Sequence, residues 1–416
     1  MRLWLKYLVG IALGIASSFV LPANSPLADS ALAFFAGLTL KIGRYTVIPL
    51  LFFGAVTAVY RLRDAKMLAK AGALIFACIA LSTLLLAALG VASVAVARLP
   101  RIPVSTERLA ETPALELGRL VESVFPSTAF AALVSGECLL PAFFLACLLG
   151  GACAAEKARA KPFVAVCDSA SKVCYVVASF ISDVLAVGMI AVACRWSGEF
   201  FGALASGTYT PLLLVLTIDF AVAAGGVYPL LLWLFCRGGA AAEPPRRPYR
   251  VLYAGIAPAL AAFFSGDALF ALPALVQHGK ESLGIRRRLN AYAFPLFSLF
   301  GRGGAALASA ASFALVLSSL SPVDVSLADA LWIVGVSSGL SFLLAGLPSG
   351  APFVLLAVLC SLYGRDIETG YLLLRPAAVI VSAYGAALDA VSAIAGTYFV
   401  AFKLNMTRRH GYQPFI

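Results

Sequence analysis

Apolar stretches of roughly 20 residues or more, each enough to cross the hydrocarbon core of a bilayer, recur from Leu3 to Phe402 between short polar turns. They place spans at about 3–22, 31–60, 68–98, 127–155, 163–194, 208–236, 290–319 and 371–403. The fourth contains the helix breakers Gly136 and Pro141. A polar stretch, Arg101–Glu122, predicts an external loop, and the Pro/Arg-rich run Cys236–Arg250 a surface loop.

Two further apolar segments, at about 251–277 and 327–363, are broken in the middle. The first carries Phe263-Phe-Ser-Gly-Asp-Ala-Leu-Phe-Ala-Leu-Pro273, with Asp267 at the break. The second carries Ala345-Gly-Leu-Pro-Ser-Gly-Ala-Pro352. Between them the seventh span is interrupted by Phe300-Gly-Arg-Gly-Gly-Ala305, which carries Arg302. Broken apolar segments of this kind mark transporter binding sites, and an ionisable residue at membrane depth is expensive enough to point to function.

Composition agrees with an integral membrane protein. Of the 416 residues, 62% are hydrophobic and 12% charged, against about 25% charged in a soluble domain. Tandem apolar helices, rather than short alternating segments, predict an all-α polytopic bundle and not a β-barrel. Arg2 and Lys6 flank a first apolar run too long for a typical signal-peptide core, so it is read as a span. The nine cysteines lie mostly in apolar segments, without metal-type pairs, and read as packing residues.

The net charge of +11 comes from Lys and Arg gathered in turns, the pattern of cytoplasmic loops rather than of nucleic-acid binding. The clusters are Arg61–Lys66, Glu156–Lys161, Arg237–Arg250, Lys280–Arg288 and Lys403–Arg409. All fall on the cytoplasmic side if both termini are inside, 251–277 enters and leaves from the inside, and 327–363 does so from the outside. The expected fold is therefore eight transmembrane helices plus two re-entrant helical hairpins in a cell (inner) membrane. No phosphate-binding loop, metal cluster or enzyme constellation occurs in the sequence, and no cofactor or metal is expected.

These motifs, in this order, resemble the dicarboxylate/amino acid:cation symporter family, the glutamate transporter homologues. Leu40-Lys-Ile-Gly-Arg-Tyr-Thr-Val-Ile-Pro-Leu-Leu-Phe-Phe-Gly54 is similar to the family's second-span signature, and Val124-Phe-Pro126 to the start of its fourth span. Leu272-Pro273 resembles the end of the first hairpin tip, and Gly346-Leu-Pro-Ser-Gly-Ala351 the second tip. Phe294-Pro-Leu296 followed by Gly301–Ala305 sits where the family's seventh span unwinds, and Gly396-Thr397 ends the last-span motif.

The resemblance implies scaffold helices in 1–67 and 126–206, an external loop at 99–125, and a mobile transport domain made of 68–98 and 207–405, with a cytoplasmic tail at 406–416. It also implies a homotrimer and elevator-like alternating access, with a small dicarboxylate or amino acid held between the hairpin tips and the unwound seventh span. Helix N-termini there suit a carboxylate.

The chain departs from the family where the chemistry lies. Asp267-Ala268-Leu269 replaces the first hairpin's serines, and Gly301-Arg302-Gly303 replaces Asn-Met-Asp. Ser382 stands where an aspartate meets the substrate amino group, and Gly385 where an arginine reads an acidic side chain. Asp389 replaces an asparagine, and Ala393 a sodium-binding aspartate. Pro348, Ser349 and Gly350 keep the second tip.

Two sodium carboxylates, at positions 303 and 393, are thus missing, and sodium sites need several oxygen ligands. The coupling implied is atypical: proton-linked or sodium-independent. Arg302 reads as a tethered cation, as a clamp on a substrate carboxylate, or as the neutralising partner of Asp267 or Asp389. Asp267 and Asp389 are candidate proton carriers. Asp219 and Asp183 read as partners of other polar groups, Lys41 and Arg44 as snorkelling or pairing across the bundle, and His278 and His410 as non-ligands.

The expected function is secondary transport of a small carboxylate across a lipid bilayer, with H+ or Na+ as the coupling ion. Two alternatives remain: a sodium- or proton-coupled glutamate/aspartate symporter with rearranged ligands, and a non-transporting membrane sensor.

Overall fold

The computed structural model describes residues 3–20, 26–103, 128–134, 139–236, 247–320, 325–346, 350–364 and 367–407. Most of the expected external loop, the Pro/Arg loop, Val124-Phe-Pro126, Pro348, Ser349 and His410 lie outside the described residues.

Among these residues the molecule is all helical. The first half comprises α1 (Leu3–Val20), α2 (Pro26–Tyr45), α3 (Val47–Asp64), α4 (Leu68–Ala97), α5 (Ala129–Val134), α6 (Leu139–Ala155) and α7 (Lys157–Ala205). Then come α8 (Thr210–Val222), a π-helical turn (Ala223–Val227) and α9 (Tyr228–Cys236). The broken half follows: α10 (Pro248–Tyr253), α11 (Ile256–Ser265), α12 (Leu272–Glu281), α13 (Arg287–Phe300) and α14 (Gly303–Leu320). It closes with α15 (Leu327–Ser341), α16 (Ala351–Tyr363) and α17 (Ala378–Lys403), with 3₁₀ turns at Leu343–Gly346 and Gly370–Ala377.

Seven helical stretches among the described residues are long and apolar enough to cross a bilayer. The fourth expected span is represented by α6, shorter at 17 residues. The second is two helices meeting at Thr46, because Pro49 has no N–H for the carbonyl of Tyr45. The fifth is longer than its apolar core: α7 runs 49 residues through its basic start and past Gly198 and Gly202. Arms α11 and α12 have 10 residues each, about 15 Å, half the hydrocarbon thickness.

The outer helices wear apolar side chains on their surface; Phe19, Phe34, Val176, Phe180 and Val187 are all exposed. This suits lipid rather than water as the surrounding medium. The core lies deeper, around α14 and α17, which are buried over most of their length. Their Gly, Ala and Ser residues let neighbouring backbones approach closely. One group of packed helices comprises α1, α2, α3, α6 and α7, and another α4 with α14–α17.

Four of the basic turns, at 61–66, 156–161, 280–288 and 403–407, share one end of the molecule. Arg61 Nη2 lies 2.8 Å from Asp168 Oδ1 and Arg287 Nη1 3.3 Å from it. Lys157 pairs with Asp64, and the Arg286 N–H donates to the Met406 carbonyl at 2.9 Å. Asp168 therefore sits level with these turns, although the sequence placed it inside the fifth span.

Candidate functional site

Three helix breaks meet the first half of α17: the tip between α11 and α12 lies by Ser382, and the joint between α13 and α14 and the start of α16 lie against Gly385.

The first tip turns at Gly266, whose φ of +63° is a left-handed conformation that glycine adopts without strain. Asp267 follows, its side chain fully buried. Its Oδ1 accepts the Leu269 N–H at 2.8 Å, which holds the turn. Its Oδ2 accepts from Arg44 Nε at 2.8 Å and lies 2.8 Å from Nη2, a fork from α2. One residue away, the Phe270 ring lies where a Cβ on Gly43 would stand. The tip is thus keyed to α2 by an ion pair and an aromatic side chain. Asp267 forms its ion pair with Arg44.

At the second break, Gly301 ends α13 and the Ala306 N–H donates to the Arg302 carbonyl at 2.9 Å, so the helix resumes. Arg302 is 2% exposed, and its Nη1 lies 3.8 Å from Asp389 Oδ2. Asp389 Oδ1 accepts the N–H groups of Gly304 at 2.7 Å and Ala305 at 3.4 Å. Asp389 therefore answers the N-terminus of α14, where unpaired N–H groups and the helix dipole favour an anion. Of the Arg302 partners considered from sequence, the structure gives Asp389.

Close backbone approach occupies the remaining space. A Cβ on Gly304 would stand 2.2 Å from the Gly385 carbonyl oxygen. One on Gly385 would stand 2.6 Å from Cγ of Pro352 and 3.3 Å from the Cα of Ala305. Gly303 faces Thr83 and Leu86 of α4. Ala268, Leu269 and Ala393 are buried in the apolar core.

Ser382 and Gly350 do line a cavity, of about 440 Å³. It lies between Ser265–Gly266 of the first tip, Phe353 of α16 and the face of α7 that carries Arg195 and Glu199. Arg195 Nε lies 3.4 Å from Glu199 Oε1. Sequence reading passed over these two; their signal was an opposite-charge pair four residues apart just past the end of the expected fifth span. No group of three His, Cys, Asp or Glu side chains disposed to hold a metal occurs among the described residues.

The sequence matches the model of the sodium:dicarboxylate symporter family over residues 3–402. The chain belongs to this family. It is an all-α polytopic membrane protein of the sodium:dicarboxylate symporter type, as the motifs implied. A search of curated proteins returned no match.

Within this symporter the Arg44–Asp267 bridge can be tested directly. Arg44→Ala leaves a buried carboxylate without its cation, which is expected to destabilise the protein by about 1–3 kcal/mol. Adding Asp267→Asn should return part of that loss. Thermal unfolding of the two variants in detergent measures both; equal melting temperatures for wild type and Arg44→Ala would remove the bridge's structural role.

Proposed function

We propose that this symporter carries a small carboxylate, dicarboxylate or amino acid, by elevator-like alternating access, with coupling that does not use the family's sodium ligands. In this reading α1–α3 and α5–α7 (within 1–67 and 126–206) are the scaffold of a homotrimer. Residues 68–98 and 207–405 move, the two hairpins are re-entrant, and both termini are cytoplasmic in a cell (inner) membrane. The half-length arms α11 and α12 and the basic turns gathered at one end support it.

The observation that carries the coupling argument is the Arg302–Asp389 pair. A fixed guanidinium occupies the unwound joint, and the Asp389 carboxylate beside it also accepts from the α14 N-terminus. Positions 303 and 393 offer no carboxylate, so oxygen ligands for sodium are scarce there.

A proton is the coupling ion that this arrangement favours, and Asp219 of α8 is its carrier. Asp267 is paired with Arg44 and Asp389 with Arg302. Asp219, 1% exposed, accepts from Ser93 Oγ of α4 at 2.7 Å and, among the described residues, takes part in no ion pair.

Uptake into proteoliposomes tests the reading. Labelled C4 dicarboxylates, glutamate and aspartate are offered under sodium, potassium and pH gradients. The expected result is sodium-independent uptake driven by an inward proton gradient and collapsed by a proton ionophore. Asp219→Asn should abolish the proton dependence while substrate binding persists. Sodium-dependent glutamate uptake would support the rearranged-ligand symporter instead, and binding without any uptake the sensor.

A further inference from the structure

A second cavity, of about 420 Å³, lies where α3, α7, α12 and α13 meet, at the end of the molecule that carries the basic turns. Its walls are apolar, with Leu51, Val276, Ala291 and Pro295 among them. Its charged lining residues are all cations: Lys172 of α7, Lys280 of α12 and Arg287 of α13.

The surrounding charges do not cancel. Asp168 is shared by Arg61 at 2.8 Å, Lys172 at 2.8 Å and Arg287 at 3.3 Å. Glu281 accepts from Tyr175 Oη at 2.5 Å and lies 3.4 Å from Gln277 Nε2. Lys280 Nζ rests 4.0 Å from the centre of the Tyr175 ring, a cation–π contact and not an ion pair. Four cations thus face two carboxylates, a surplus of positive charge at the edge of an apolar chamber.

The chamber is open to one side. Val176 of α7 lines it and is 66% exposed, on the same apolar helix surface as Val173. Exposed apolar side chains on a membrane helix suit acyl chains, so the opening is one that a lipid tail can enter from the side. An occupant must combine an anionic head with an apolar body. A soluble anion would leave the walls unfilled, and a neutral lipid would leave the surplus positive charge uncompensated.

We propose that this cavity is a binding site for an anionic membrane phospholipid. The lipid phosphate is held by Lys280, Lys172 and Arg287, and an acyl chain lies against Leu51, Val276 and Pro295. Basic pockets between membrane helices recognise anionic headgroups by this chemistry. The site joins α3 and α7 to the hairpin arm α12, and does not depend on which substrate is carried or which ion drives it.

Native mass spectrometry of the full chain in detergent, titrated with phosphatidylglycerol, phosphatidylcholine or inorganic phosphate, tests the proposal. Saturable phosphatidylglycerol adducts are expected, with phosphatidylcholine at least about 10-fold weaker. The double variant Lys172→Gln/Lys280→Gln should weaken phosphatidylglycerol about 10-fold and leave the lipid-free melting temperature unchanged. A control variant at another basic turn, Lys66→Gln/Lys70→Gln, should bind like wild type. Equal binding of the two lipids, or an equal loss in both variants, would overturn the site. Full displacement of phosphatidylglycerol by millimolar inorganic phosphate would overturn the lipid assignment.

Discussion

Replacing Arg302 by Ala is expected to be among the most damaging single changes in this symporter. It leaves the Asp389 carboxylate, 3% exposed, without its cation. Breaking a buried pair by removing one partner costs about 3–5 kcal/mol, because a charge remains buried and uncompensated. Removing both charges with Arg302→Met/Asp389→Asn should recover most of that, since no buried charge is then left without its partner. The recovery is incomplete to the extent that Asp389 also accepts the Gly304 and Ala305 N–H groups. Unfolding in detergent across the four proteins of this double-mutant cycle gives the coupling. Carboxylate binding by Arg302→Ala asks the functional question: unchanged affinity removes Arg302 from the substrate site and leaves it a structural pair.

The second large effect is expected at Gly385. The motif resemblance implies that Gly385 stands where relatives carry an arginine for an acidic side chain, so Gly385→Arg is the obvious attempt to build a glutamate or aspartate site. In this molecule the space is already filled. The first carbon of any side chain would meet the Pro352 ring at 2.6 Å and the Ala305 backbone at 3.3 Å. Overpacking a close-packed interior costs about 1–3 kcal/mol for added methylenes, and a guanidinium lodged between α14, α16 and α17 would add an unpaired buried charge. Gly385→Arg should therefore fail to give a monodisperse protein, and Gly385→Ala should lower the melting temperature. A well-folded Gly385→Arg that gains affinity for glutamate or aspartate would show that the space opens.

The two positions illustrate how function became legible. Gly385 in the sequence is an absence, a missing arginine, and says only that acidic side chains lose a partner. In three dimensions it is a contact point: α17 lies against α14 closely enough for Gly304 to face its backbone. Arg302 and the buried aspartates were conspicuous because charge in apolar sequence is rare. Which partner each would find was open, and Arg44, set aside as a snorkelling or pairing residue, turned out to close over Asp267. The Arg195–Glu199 pair went unnoticed because one cation and one acid on a long helix look like a solvated face.

The sequence by itself determined the helical class, the family, the order of the broken segments and the positions of the breaks. Each of these is written locally: apolar runs set span lengths, and Gly and Pro remove the hydrogen bonds that would carry a helix through. Tertiary structure alone decided the pairings: Asp267 with Arg44, Arg302 with Asp389, and the α14 N-terminus answered from within. A buried charge takes a partner from whichever helix packs beside it. Here that helix is 223 residues away for Asp267 and Arg44, and only the packing of the bundle brings them together.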